Sequence, residues 1–171
     1  MTQFQTSRDK TKRLAISAVL ASLGLIFSYI EAIIPFSVGI PGVKLGIANL
    51  VVIIALYFFG VSYAFSINVI RILVAGLLFN GAFGALYSLA GACVSLMVMI
   101  VLKKTKWFSV VGVSMAGGVA HNIGQLLMAA AIISNIKILL YFPVLLFSGM
   151  ITGIIIGILA HIILKKLTIH L

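Results

Sequence analysis

With 171 residues, of which 63% are hydrophobic and 8% charged, the chain carries far more apolar surface than a soluble domain of its size can bury. The bilayer is its expected solvent, and about 20 apolar residues per crossing allow roughly six crossings with short connections. A net charge of +10 would suggest nucleic acid for a soluble protein, but here the basic residues sit in short clusters beside apolar runs, which points to anionic lipid and excludes nucleic acid as a partner.

Residues 1–13 read as a polar cytoplasmic tail, and residues 14–171 as one all-α, integral membrane domain. Its first segment, 14–34, is too long for a signal-peptide core and lacks a clear small-residue cleavage site, so it reads as a retained helix that Pro35 ends. Pro35 to Gly46 is rich in breakers yet apolar. It is either a lid over an outer cavity or an ordinary loop whose glycines serve turns. Further helices are predicted over 45–59, 62–79, 82–102, 109–134 and 138–164.

The basic clusters orient this bundle. Arg8, Lys10, Lys12 and Arg13, then Lys103, Lys104 and Lys106, then Lys165 and Lys166 fall on one side, leaving Lys44 and Lys137 on the other. The positive-inside rule therefore predicts a multi-pass plasma-membrane protein with both termini cytoplasmic.

Small residues recur at packing distance: Gly112, Ala116, Ala120 and Gly124 on the fifth segment, and Gly149, Gly153 and Gly157 on the sixth. Such rows let backbones approach closely, here within the bundle. On the first segment, Ser17 with Ala21 and Ala18 with Ser22 share this spacing, and either pack inward or face another membrane subunit.

Arg71 falls near mid-membrane, at a cost of about 2.5–3.5 kcal/mol on insertion scales, so it requires an anion or water. Glu31 is the one acid in a predicted span, Asp9 being in the tail. One reading pairs Arg71 with Glu31 as a structural ion pair. The other turns Arg71, with Lys44, toward an anionic group on a ligand, Glu31 orienting the arginine. Asn68 lies three residues before Arg71 on the same face; Asn49, His121, Asn122 and Gln125 add polar groups at similar depth. The last three either bind ligand or bond neighbouring helices. Substrate-binding candidates are thus Arg71, Lys44, Asn49, His121, Asn122, Gln125, Glu31 and Asn68, with no catalytic or metal site and no cofactor.

The lack of a Lys-Ser/Thr phosphate loop excludes nucleotide hydrolysis by that route, and two acids in the whole chain exclude a carboxylate pair for magnesium. The chain is expected not to be an enzyme.

Pro41-Gly-Val-Lys-Leu-Gly-Ile-Ala-Asn49, Gly112-Val-Ser-Met-Ala-Gly-Gly-Val-Ala-His-Asn-Ile-Gly-Gln125 and Tyr141-Phe-Pro-Val-Leu-Leu-Phe-Ser-Gly-Met-Ile-Thr-Gly153 resemble the Gx transporter family, also labelled heptaprenyl diphosphate synthase component I. That family in turn resembles the substrate-binding S components of energy-coupling factor (ECF) transporters. The resemblance implies six helices, an outward-facing site beneath a loop after the first helix, and docking of a transmembrane coupling subunit on the small residues Ser17, Ala18, Ala21 and Ser22, with separate ATPases supplying energy. The expected role is capture of a small anionic or amphipathic molecule from outside. The second label implies a non-catalytic accessory subunit in isoprenoid and quinone synthesis. The family's association with flavin-linked electron transfer in Gram-positive bacteria implies a third role, as membrane partner of an extracytoplasmic redox protein.

Overall fold

The computed structural model describes residues 2–34 and 46–169. It contains six α-helices in that range: α1 (Thr2–Ile33), α2 (Ala48–Phe58), α3 (Val61–Ala75), α4 (Gly81–Thr105), α5 (Val110–Ile133) and α6 (Phe142–Ile169). A π-helical turn, Gly76–Asn80, joins α3 to α4, and a 3-10 turn, Ile136–Tyr141, precedes α6. Among the described residues no strand occurs.

The helices form a closed circuit in which α1 packs on α3, α3 on α4, α4 on α5, α5 on α6 and α6 on α2, which returns to α1. Four helical stretches are long and apolar enough to cross a membrane: Lys10–Ile33, Val61–Thr105, Val110–Ile133 and Ile136–Leu167. The second of these folds back on itself. A Cβ on Gly76 would lie 2.5 Å from that of Ala85, a contact that nine residues of straight helix would prevent, and Gly81 takes the positive φ (+68°) that a reversal needs. The sixth apolar element, α2, is only 11 residues long. Leu50 to Leu56 are all buried there, and Ala55 and Leu56 are fully enclosed. Its shortness suits a helix wrapped by others rather than one facing lipid. Large apolar side chains stand exposed on the outside of the bundle, such as Leu77 on the π turn and Phe83, Phe147 and Ile151 on α4 and α6.

Several boundaries differ from the sequence reading. Residues 2–13, read as a tail, continue α1, since no proline or glycine interrupts them before the apolar run. Gly46 adopts φ +70°, and α2 therefore starts at Ala48 rather than near residue 45. The third helix, expected as one piece over 62–79, is α-helical only to Ala75. The last begins at Phe142, just before Pro143; proline is tolerated in the first turn, where its missing N–H has no intrahelical partner to lose.

The rows of small residues hold the bundle together. Added Cβ atoms on Gly118, Gly153 and Gly157 would fall 2.5, 2.7 and 2.7 Å from backbone atoms of the facing helix, so α5 and α6 touch main chain to main chain. On α5 the row splits: Gly118, not Gly112, meets α6, and Gly124 meets Ala90 and Gly91 of α4.

Helix ends are closed by side chains. Ser109 accepts from Gly112 N–H at 3.2 Å to cap α5, and Asn135 accepts from Lys137 N–H at 3.0 Å to start the 3-10 turn. Neither end of α2 is closed by a side chain of its own. Glu31 of α1 accepts the Ile47 N–H at 2.6 Å, where a carboxylate complements the positive end of a helix. At the far end Lys103 of α4 donates to the Leu56 carbonyl at 2.6 Å and stands 4.7 Å over the Tyr57 ring.

Candidate ligand-binding site

A cavity of about 270 Å³ opens between the C-terminal end of α1, the N-terminal end of α2, the α3–α4 reversal and the middle of α5. All six helices contribute to its wall. Arg71 is its charged centre and is 7% exposed. Its Nη2 donates to Asn68 Oδ1 at 2.7 Å and to Asn49 Oδ1 at 3.5 Å, while Nη1 donates to Ser28 Oγ at 3.2 Å. Ser28 is aimed by its own hydroxyl, which donates to the Gly24 carbonyl at 2.9 Å and so turns a lone pair to the arginine.

Every one of these acceptors is neutral. They satisfy geometry but carry no charge themselves, and among the described residues Arg71 Nε is buried with no hydrogen-bond partner. Glu31 lines the same cavity and attracts Arg71 through space, while its Oε1 holds the start of α2. Glu31 thus acts on the start of α2 directly and on the arginine through space.

His121, Asn122 and Gln125 line the opposite wall, on α5. Asn122 Nδ2 donates to the Leu145 carbonyl of α6 at 2.7 Å, so this side chain bonds a neighbouring helix as well as facing the cavity. His121 and Gln125 lie against Gly91 of α4, whose absent Cβ would approach the His121 carbonyl at 2.7 Å and Gln125 Cγ at 2.8 Å.

Of the sequence candidates, Arg71, Asn49, Glu31, His121, Asn122 and Gln125 line this one cavity. Asn68 reaches it through Arg71 and lines a small adjoining hollow of about 30 Å³ together with Asn49. Lys44, and the Pro35-to-Leu45 stretch with its lid or loop alternatives, lie outside the described residues. The α1 small residues divide between faces. Ser17 is buried and Ala21 half-buried, on the same side as Gly24 and Ser28; Ala18 and Ser22 are exposed.

Ser28, which bonds Arg71, was not among the substrate-binding candidates, and four further site residues were missed with it. Asn80, Ser88 and Thr152 line the cavity from the π turn, α4 and α6. Gly24 gives the arginine its room, since a Cβ there would stand 3.0 Å from Arg71 Cδ. The spacing of Gly24, Ser28 and Glu31 down one face of α1 was the available signal.

The sequence model of the heptaprenyl diphosphate synthase component I family matches residues 20–163. The chain belongs to that family. The matched segment runs from α1 to α6 and contains every residue of the cavity wall named above. No curated protein and no solved structure matches the chain.

Proposed function

We propose that this member of the component I family is a membrane subunit that binds a small molecule through an anionic group at Arg71, entering from the extracellular side, without catalysing a reaction itself. The observation that carries the reading is the buried guanidinium, hydrogen-bonded to neutral acceptors and, among the described residues, with Nε unpartnered, in a polar cavity built by six helices whose wall also carries Glu31. Beyond the through-space attraction of Glu31, a carboxylate or phosphate oxygen supplies a charged acceptor in direct hydrogen-bond contact, which those neutral side chains do not. The basic clusters at Arg13, Lys103 and Lys165 stand at the helix ends away from the cavity, which supports an outward-facing mouth and cytoplasmic termini. In this role the chain resembles an ECF S component, with separate partners, a coupling subunit and ATPases, supplying energy.

Native mass spectrometry of protein extracted in mild detergent tests the proposal. A small anionic molecule retained by the wild type and lost from folded Arg71→Gln and His121→Ala variants is the expected result. An unchanged retained species in both variants removes Arg71 from the site.

The family match favours a second reading, a non-catalytic accessory subunit of a heptaprenyl diphosphate synthase. Affinity isolation separates the two. Co-isolation with a soluble prenyl synthase supports the accessory role, and co-isolation with ATPases supports the transport role.

A further inference from the structure

Beside the polar cavity lies a second hollow of about 370 Å³ between α4, α5, the 3-10 turn and α6. Its wall is mainly apolar, with Leu126, Ala129, Ile133, Ile138 and Leu145 against Tyr87. Ser88 and Gln125 line both spaces. The polar and apolar hollows are therefore neighbours across two small or flexible polar side chains, and together they fall within the about 300–1,000 Å³ of ordinary small-molecule sites.

We infer that the ligand is a single-chain amphiphile whose anionic head sits at Arg71 and whose hydrocarbon chain passes Ser88 and Gln125 into the α4–α5–α6 hollow. The inference rests on the anion-binding reading above and adds the chain. Two features select this occupant. The apolar hollow adjoins the cavity holding the incompletely partnered guanidinium, so one molecule can satisfy both. It is also one hollow of limited volume, suited to one chain rather than the two of a phospholipid.

Inorganic phosphate, butyl phosphate, octyl phosphate and octanol are the probes, titrated onto protein in nanodiscs against empty nanodiscs. Each methylene buried in the hollow should tighten binding about fourfold, so octyl phosphate should exceed inorganic phosphate by on the order of a hundredfold or more. Octanol should bind far more weakly than octyl phosphate. Ala129→Trp, which fills the apolar hollow, should bring octyl phosphate down toward the affinity of inorganic phosphate while leaving inorganic phosphate itself unchanged. The wild-type chain-length series carries the same test without any substitution.

Equal affinity for inorganic, butyl and octyl phosphate overturns the chain site while leaving the anion site standing. Binding of octanol as tight as octyl phosphate, or octyl phosphate affinity unaffected by Arg71→Gln, overturns the anion reading instead. Displacement of octyl phosphate by phosphatidic acid at equal concentration overturns the single-chain assignment in favour of a membrane lipid.

Discussion

Among the described residues three neutral oxygens are hydrogen-bonded to Arg71, of which Asn68 Oδ1 is the closest at 2.7 Å. Asn68→Ala removes that oxygen and leaves Nη2 with only the long 3.5 Å bond to Asn49 Oδ1. Hydrogen bonds to charged groups contribute about 1.5–3 kcal/mol, so the variant should lose stability of that order and unfold at a lower temperature in detergent. A saturating anionic ligand should restore part of the loss, because a ligand oxygen then takes over the role of the missing amide. Thermal unfolding followed with and without ligand checks both statements. The arginine and its asparagines were legible in the sequence because a charged side chain in an apolar run is conspicuous. Gly24 was signalled only by its spacing to Ser28 and Glu31, and Thr152 not at all, since its part in the site depends on what stands opposite it in space.

At the scale of helices, closeness between α5 and α6 is the most specific feature of the bundle. A Cβ on Gly118 would sit 2.5 Å from the Gly149 carbonyl oxygen, a backbone atom that moves only if its helix moves. Gly118→Leu should therefore separate α5 from α6, cost about 1–3 kcal/mol and lower the yield of folded protein. Ala116→Leu, on a half-buried position of the same helix, serves as the comparison in size-exclusion profiles and melting curves. The sequence showed that small residues pack in this region, because spacing of four places them on one stripe. It did not show which stripe meets which helix, a matter of rotation about the helix axis that Gly117, facing Met99 and Ser95, and Gly118, facing α6, divide between them. Helix existence was legible from apolar length. The break after Ala75 was not, because Gly76 to Asn80 is apolar enough to continue a helix and turns on a contact with Ala85.

For the molecule as a whole, the asymmetry of charge fixes an expected direction across the membrane. Trp107 follows the Lys103–Lys106 cluster at the α4–α5 connection, and Asn135 lies in the short connection after α5. With the exposed Cys93 first replaced by alanine, a membrane-impermeant maleimide should label Asn135→Cys in intact cells. Trp107→Cys should react only after permeabilisation. The reverse pattern inverts the bundle and places the Arg71 cavity toward the cytoplasm, which removes the capture role.

The two side chains that close the ends of α2 have a consequence for how the chain is made. Glu31 precedes the N–H it holds by 16 residues, whereas Lys103 follows the carbonyl it holds by 47. During synthesis the first fastening is available as soon as α2 emerges, but the second waits until α4 is complete. A nascent chain halted between them carries α2 moored at one end alone, so the innermost helix becomes fixed only when a later part of the polypeptide arrives to finish it.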